Sequence, residues 1–339
     1  MRALAILTVK NEAAFLLEWL AHHRAAGFTD FLVLSNDCTD GTDLMLDRLQ
    51  DLGLVMHVPN PGPHPDSPQW SALKRAEGHP ALRAADWVLF LDVDEFVNIH
   101  AGAHRLPDLL AALPPEATAI TLTWRMFGNA GIVRYQDQPL RTQFTRAAPA
   151  ILAWPWRAQM FKTLFRPSGA FRKLGVHKPR NPEPDRLAGE RWFDGSGRAM
   201  PPATRLFSDY RQDNYGLVQL NHYALGAMES YLVKADRGRA NREASRFDIG
   251  YWIERNLNQV EDRSILGLDI SDELAALKAD PELARLHAEA VAWRRRRFTD
   301  LMQHEAWRDL FGKLLMAGPS RALGPEVAAL IHAPRLMQR

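Results

Sequence analysis

The chain has 339 residues, of which 46% are hydrophobic, and this is enough for a sizeable core in one large domain or two small ones. The formal net charge of +2 gives no sign of a nucleic-acid partner. Cys38 is the single cysteine, which excludes an intrachain disulfide framework or cysteine-based zinc cluster and favours a reducing, cytoplasmic setting. No apolar run reaches the roughly 18 residues that span a bilayer, so the sequence predicts a soluble or at most peripheral protein.

Strand and helix patterns alternate through the first part of the chain. Short apolar runs predict buried strands at residues 4–9, 31–34, 54–58 and 87–91. Apolar residues at helical spacing predict helices between them, the first ending at Ala26 and the third covering residues 70–83. Residues 59–68 contain five prolines and are predicted to form a loop. This alternation is typical of an α/β unit with a mostly parallel sheet.

The pattern changes after Glu95. Further strands are predicted at residues 119–124, 161–165 and 218–220, and a helical region begins at Met228. Residues 272–304 are predicted to form long helices. The sequence therefore predicts an α/β fold with a C-terminal helical extension.

Three carboxylates directly follow the fourth predicted strand: Asp92, Asp94 and Glu95. In open α/β sheets ligands bind at the carboxyl ends of the strands, so these residues lie where a site is expected. On an extended segment Asp92 and Asp94 point to the same side, and two converging carboxylates suit a divalent cation such as Mg²⁺ or Mn²⁺. The spacing alone leaves open the alternative that these acidic residues cap a following helix.

Three polar segments close predicted strands one, two and four: Lys10-Asn11-Glu12, residues 35–42 and residues 92–96. Together they resemble the corresponding segments of nucleotide-sugar glycosyltransferases with a GT-A fold. The most similar group is a family-2-like bacterial branch that resembles glycosyltransferase family 92. The resemblance spans about residues 3–240 and continues at residues 124–128, 162–167, 176–179, 221–223, 230–234 and 237–239.

This resemblance implies a GT-A-like, Rossmann-type fold whose mostly parallel sheet is flanked by helices. It divides the chain into a nucleotide-sugar-binding catalytic domain at residues 1–240 and a C-terminal helical region at residues 241–339. It also implies a metal-dependent glycosyltransferase of the hexosyltransferase type. Such an enzyme moves a sugar from a nucleotide-diphosphate donor, a UDP-sugar being preferred, to a glycan or lipid-linked acceptor, as in polysaccharide biosynthesis.

The resemblance assigns several residues to the nucleotide-sugar donor. It implies that Asn11 and Glu12 lie near the nucleotide base and that Asp37 binds the base or the ribose. Near the other end of the matched region, Lys234 and Arg237 are expected to approach the diphosphate.

A second set of residues is assigned to a metal ion. Asp92 and Asp94 match the DxD motif of the family, which holds Mn²⁺ or Mg²⁺ against the donor diphosphate. His222 stands where related enzymes place a late histidine that can complete the metal shell. The cation stabilises the leaving diphosphate as a Lewis acid.

A reaction that inverts configuration also needs a base for the acceptor hydroxyl. Glu95, His177 and Asp209 are candidates, and Glu95 and His177 are preferred. Glu95 closely follows the metal motif, although strand alternation would turn it to the face opposite Asp94. The imidazole of His177 titrates near neutrality, as a base requires. Retention and inversion both stay open.

Two groups of basic residues have simpler interpretations. Lys162 and Arg166 alternate on a predicted strand and are expected to face solvent. The four arginines at residues 294–297 indicate a solvated helix face. The alternative is a peripheral contact with the anionic inner face of a membrane.

Two other functions compete with glycosyl transfer. A nucleotidyltransferase or phosphotransferase could use the same carboxylates, but it would want a glycine-rich phosphate loop after the first strand, and residues 8–12 lack one. A non-catalytic nucleotide-sugar-binding module with the same fold is the third alternative.

Overall fold

The computed structural model describes residues 1–64, 67–202, 206–238 and 247–336. Its strands are β1 (Ala3–Val9), β2 (Asp30–Ser35), β3 (Met56–Pro59), β4 (Trp87–Leu91), β5 (Glu95–Ile99), β6 (Ala119–Met126), β7 (Arg146–Ala147), β8 (Phe161–Phe165), β9 (Phe171–Lys173), β10 (Arg180–Pro182), β11 (Trp192–Phe193), β12 (Ala199–Met200), β13 (Val218–His222) and β14 (Val260–Glu261). Its helices are α1 (Ala13–Ala25), α2 (Thr42–Asp51), α3 (Pro68–Gly78), α4 (Pro80–Ala84), α5 (Leu106–Ala111), α6 (Leu140–Gln143), α7 (Pro184–Leu187), α8 (Met228–Arg237), α9 (Ile249–Arg255), α10 (Ser271–Ala279), α11 (Pro281–Leu301), α12 (Glu305–Met316) and α13 (Pro325–Leu336), with single 3-10 turns at Trp156–Gln159 and Ser264–Gly267.

Four parallel strands form one half of the main sheet, in the order β4-β1-β2-β3. Both β1 and β4 are buried at every position, as expected for apolar strands that are covered on both faces. Val9 pairs with Ser35, and Leu7 pairs with Leu91, so the carboxyl ends of β1, β2 and β4 lie at one edge. The residues that follow these three strands share the edge where ligands bind in open α/β sheets.

The other half of the sheet is mixed. β8 runs antiparallel between β4 and β6. β13 is parallel to β6 and antiparallel to β5, and this register places His222 opposite Glu95. The end of β13 therefore lies beside the segment that joins β4 to β5.

Helices cover both faces of the sheet, and alternate residues of β1 enter the two cores. Ala5 and Leu7 belong to the core that includes α1, α2, α10 and α11. Leu4 and Ile6 pack in the core that includes α3 and α4. Leu286 of α11 lies in the same core as α1, so the C-terminal helices pack directly on the sheet layer.

The prediction of an α/β fold with a GT-A-like, mostly parallel sheet, flanking helices and a helical C-terminal region is confirmed. The single helix predicted at residues 70–83 is wrong, because α3 ends at Gly78 and α4 begins at Pro80, whose ring prevents a continuous helix. The predicted boundary between residues 240 and 241, like Arg239, lies outside the described residues, so the division into domains stays a prediction. Among the described helices, none combines the length and the apolar character that crossing a membrane requires.

Candidate active site

The segment after β4 is a tight turn that connects directly to β5. The backbone N–H of Glu95 donates to the carbonyl of Asp92 at 3.1 Å. The expectation that Asp92 and Asp94 share a face by strand alternation is therefore wrong, because turn residues leave the extended geometry. The helix-cap alternative is excluded as well, since the next element is a strand.

Asp94 lies beside two side chains that β13 and α8 bring to this edge. Its Oδ2 is 2.5 Å from Lys234 Nζ and 3.7 Å from His222 Nε2. Burial raises the pKa of Asp94, but Lys234 and His222 outweigh it and hold the pKa well below its usual range. Burial lowers the pKa of Lys234, but Asp94 reverses this and leaves it raised. Asp94 and Lys234 are therefore both charged at neutral pH.

Asp92 is held at both carboxylate oxygens. Lys162 Nζ donates to Oδ2 at 3.0 Å, and Gln69 Nε2 donates to Oδ1 at 3.3 Å. Lys162 is 0% exposed, so the expectation that it faces solvent is wrong. It belongs to β8, an interior strand next to β4, and therefore lies under the turn. Asp92, Asp94, Lys162 and Lys234 are called the edge cluster below.

Glu95 lies beneath the edge cluster and is 0% exposed. Its Oε1 accepts the indole N–H of Trp124 at 2.7 Å, and its Oε2 accepts the backbone N–H of Asp92 at 2.9 Å. Lys162 Nζ is 3.3 Å from the same Oε2. Burial raises the pKa of Glu95, although Lys162 opposes the shift. Both carboxylate oxygens thus have protein partners and no exposed surface.

His177 differs from Glu95 in being partly exposed. Its Nδ1 lies 3.0 Å from the carbonyl of Phe161, which makes Nδ1 the protonated nitrogen and leaves the lone pair on Nε2. Burial and the Lys162 ammonium lower the pKa of His177 to about 4, so the expectation that this imidazole titrates near neutrality is wrong, and the ring is neutral. The Trp124 ring lies 5.4 Å from His177 and 4.4 Å from His222. His177 is therefore a neutral base next to the edge cluster.

Asn11 and Asp37 follow β1 and β2 in the left-handed backbone region, with φ of 54° and 45°. Such conformations are uncommon outside glycine and cluster at functional loops. Asn11 Oδ1 accepts the Thr39 N–H at 2.7 Å and so joins the two loops. The Asp37 side chain is 51% exposed and accepts the Gly62 N–H at 3.2 Å. Asp37 thus presents a carboxylate at the open edge, as binding to a nucleotide requires.

Glu12 and Arg237 form an ion pair that joins the loop after β1 to the end of α8. Arg237 Nη1 also donates to the carbonyl of Lys10 at 2.8 Å. The structure therefore gives Arg237 a contact with this loop, and its expected contact with a diphosphate stays a prediction.

The donor atoms near Asp94 fit part of a divalent-cation site. Burial lowers the pKa of His222, although Asp94 opposes this, so the ring is neutral and can donate a lone pair. Its buried Nδ1 has no hydrogen-bond partner within the described residues. Across those residues no three His, Cys, Asp or Glu side chains are arranged as a metal site, and Asp92 is turned to Lys162. Mg²⁺ is commonly held by one or two carboxylates together with substrate phosphates, and Asp94 offers one such carboxylate, with the His222 nitrogen beside it.

A cavity of about 640 Å³ lies between the loops after β1 and β2 and the C-terminal helix α11. Arg295 and Arg296 line it and are exposed. Arg294 instead is buried, 4.6 Å from the ring of Phe15, and Arg297 pairs with Asp236 at 2.7 Å. The predicted solvated face is thus right for Arg295 and Arg296, partly right for Arg297, whose side chain is 40% exposed, and wrong for Arg294.

Two residues that donate hydrogen bonds to Asp92 were not predicted from the sequence. They are Lys162 and Gln69. The signal for Lys162 was its place within an apolar strand, because a lysine in a buried strand requires an anionic partner. Gln69 follows the proline-rich loop, and no pattern in the sequence sets it apart.

The sequence matches the family model described as Glycosyltransferase family 92 over residues 5–223. A family 92 protein of Oryza sativa subsp. japonica is 25% identical over 147 residues, which are 40% of this chain and 23% of that protein. One from Ricinus communis is 32% identical over 152 residues, which are 40% of this chain and 24% of that protein. The matched segments span less than a quarter of the length of either relative.

Two solved structures are similar to part of the chain. S. aureus TarS in complex with UDP-GlcNAc is 21% identical, covers 49% of this chain and 45% of its own, and has a TM-score of 0.29. Glucosyl-3-phosphoglycerate synthase from Mycobacterium tuberculosis, in complex with Mn²⁺, UDP and glucosyl-3-phosphoglycerate, is 20% identical. It covers 37% of this chain and 44% of its own, with a TM-score of 0.25. The assignment that follows rests on the family match.

Proposed function

The chain belongs to glycosyltransferase family 92, and from this premise we propose that it transfers a sugar from a nucleotide-diphosphate donor at the edge formed by β1, β2 and β4. The observation that carries the proposal is the ionised Asp94 beside Lys234 and the neutral His222. These groups combine a hard anionic ligand, a cation and a neutral nitrogen donor at the position where the diphosphate of the donor is expected.

Charge on the leaving diphosphate is the main electrostatic demand of this reaction. Lys234 lies at the edge with its side chain 12% exposed, and its ammonium can turn to phosphate oxygens while staying near Asp94. Mn²⁺ or Mg²⁺, held by Asp94 and His222, would act there as a Lewis acid. Asp37 and the loop containing Asn11 would bind the nucleoside at the ends of β1 and β2.

His177 is the better candidate for the base that accepts the acceptor proton. Its Nε2 carries the lone pair because Nδ1 donates to the carbonyl of Phe161. Glu95 is 0% exposed and has partners at both oxygens, so an acceptor hydroxyl would have to displace Trp124 or the Asp92 N–H to reach it. We therefore assign base catalysis to His177 if the reaction inverts configuration.

The acceptor in this proposal is a glycan or a lipid-linked glycan in the cytoplasm. For a lipid-linked acceptor, the proposal also includes a peripheral contact of the protein with the membrane. Arg295 and Arg296 are the exposed basic pair for such a contact. Flotation with vesicles of anionic lipid tests it, and an unbound protein in that assay would remove the membrane from the proposal.

A donor screen tests the function itself. The purified protein is incubated with a panel of UDP-sugars and then with other nucleotide sugars, in MnCl₂ or in EDTA, and the released nucleotide is measured. We expect nucleoside diphosphate from at least one donor in Mn²⁺ and a large loss in EDTA. Release of pyrophosphate from a nucleoside triphosphate and a sugar phosphate would instead indicate a nucleotidyltransferase. Donor binding without any turnover would indicate a binding module.

A further inference from the structure

Lys162 is a charged side chain inside the sheet with no exposed surface. Burial lowers its pKa, but Asp92 and Glu95 reverse the shift and leave it raised, so it is a cation. Its Nζ also lies 4.9 Å from the centre of the Phe90 ring. A buried ion pair stabilises a fold no better than a well-packed apolar pair, so stability alone does not account for it.

The carboxylate of Glu95 connects Lys162 to the aromatic floor of the site. One oxygen is 3.3 Å from Lys162 Nζ and accepts the backbone N–H of Asp92, and the other accepts the indole N–H of Trp124. The ring of Trp124 contacts both His177 and His222. A continuous set of contacts therefore runs from Asp92 through Lys162, Glu95 and Trp124 to the two histidines.

We propose that Lys162, Glu95 and Trp124 form a positioning unit that lies under the donor site and fixes the Asp92 carboxylate and the rings of His177 and His222. None of the three touches the substrate. Asp92 is 34% exposed at its side chain, yet buried groups hold it at Oδ2 through Lys162 and at its backbone N–H through Glu95. The inference rests on the proposed function, because this orientation matters only if the donor binds at the same edge.

Charge removal separates positioning from stability. Lys162→Met leaves Asp92 and Glu95 without their cation, so it lowers both the melting temperature and the rate. The double variant Lys162→Met/Glu95→Gln removes the second member of the buried pair too and should regain part of the lost stability, since removing both members costs less than removing one. The recovery is partial, because the amide has one acceptor oxygen for the two N–H donors, of Trp124 and Asp92, that the two carboxylate oxygens accept. The Asp92 carboxylate still lacks its cation in the double variant, so the rate should stay low.

The test measures melting temperature and kcat/KM for each variant, using the UDP-sugar that the wild type turns over fastest. We expect both variants to lose about 10- to 100-fold in kcat/KM, as supporting contacts around a metal or phosphate site commonly do. Glu18→Gln is the matched control, a buried carboxylate on α1 whose substitution should leave kcat/KM unchanged.

Two results would overturn the inference while the proposed function stands. One is a single variant with wild-type kcat/KM. The other is a double variant that regains the rate together with the melting temperature, as a purely structural pair would. A wild type that releases no nucleotide from any donor would overturn the proposed function, and this inference would fall with it.

Discussion

Four other polar side chains form a second buried group, which we call the core cluster: Glu18, His22, His23 and Arg141. It lies between α1, α6 and β5, whereas the edge cluster lies at the carboxyl ends of the strands. Glu18 accepts the backbone N–H groups of Leu140 and Arg141 at 2.7 and 3.1 Å. His22 and His23 bond to the carbonyls of Val97 and Trp19, each at 2.8 Å.

Glu18 in the core cluster and Asp94 in the edge cluster differ in how their surroundings shift the pKa of the carboxyl group. In the core cluster, burial raises the pKa of Glu18 to about 7 and lowers that of His23 to about 3, so burial favours the neutral forms. In the edge cluster, Asp94 and Lys234 instead hold each other in the charged forms.

The difference follows from the partners. Backbone dipoles satisfy a buried side chain without fixing its charge, whereas a lysine and an aspartate in contact favour the charged form of each other. Keeping paired ions in a buried setting is costly, and such groups concentrate at functional sites. The contrast therefore supports chemistry at the edge and a structural role for the core cluster.

Asp94→Ala breaks the edge cluster most severely. We expect a loss of about 1,000-fold in kcat, since this carboxylate would hold the cation and also orders Lys234 and His222. The measurement is nucleotide release at saturating donor, with far-ultraviolet circular dichroism to show that the fold is intact. Asp309→Ala, on the exposed face of α12, is the control. Full activity in Asp94→Ala would end the DxD interpretation.

His177→Gln tests the neutral base beside the edge cluster. We expect kcat to fall about 100-fold with little change in the KM for the donor, because general base catalysis contributes on that scale. Steady-state kinetics with donor and acceptor varied separately measure this, and His287→Gln is a control at a histidine that pairs with Asp137. An unchanged kcat in His177→Gln would show that His177 is not the catalytic base.

Arg237→Met weakens the link between α8, which carries Lys234, and the loop after β1. We expect kcat/KM to fall about 10-fold, as for a residue that supports a binding group. Arg285→Met, whose partners Glu282 and Glu289 lie on the same exposed helix face, is the matched control. Equal kinetics in the two variants would show that the α8 link is dispensable.

Glu18→Gln tests the core cluster through the pH dependence of the free energy of unfolding. Unfolded His23 takes up a proton below its ordinary pKa of 6.5 while the folded ring does not, so acid destabilises the fold by about 2 kcal/mol between pH 7 and 5. Glu18 takes up a proton below a pH of about 7 in the folded state, but only below 4.5 in the unfolded state. Through Glu18, acid therefore stabilises the fold by about 2 kcal/mol over the same interval, which offsets the effect of His23.

The variant keeps the histidine effect and loses the offset. Its free energy of unfolding should therefore fall about 2 kcal/mol more than that of the wild type between pH 7 and 5. Urea unfolding at both pH values measures the difference. Parallel pH curves for the two proteins would contradict the raised pKa of Glu18, on which the neutral form of this side chain depends.

Local patterns in the sequence were sufficient for the parallel half of the sheet. β1, β2 and β4 are short apolar runs ended by polar residues, and their carboxyl ends meet as predicted. The segment from Asp92 to Asp94 was misjudged because spacing does not distinguish a strand from a turn. The contact of Lys162 with Asp92 joins residues 70 positions apart, so it depends on β8 lying next to β4.

Binding of UDP tests the central claim most directly, that the nucleotide donor binds where Asp94, Lys234 and His222 meet. Isothermal titration of UDP into the wild type and into Asp94→Ala, each in MnCl₂ and in EDTA, gives four affinities. We expect measurable binding by the wild type in Mn²⁺, much weaker binding in EDTA, and weak binding by Asp94→Ala in both. Equal, metal-independent affinity of the two proteins for UDP would contradict the account.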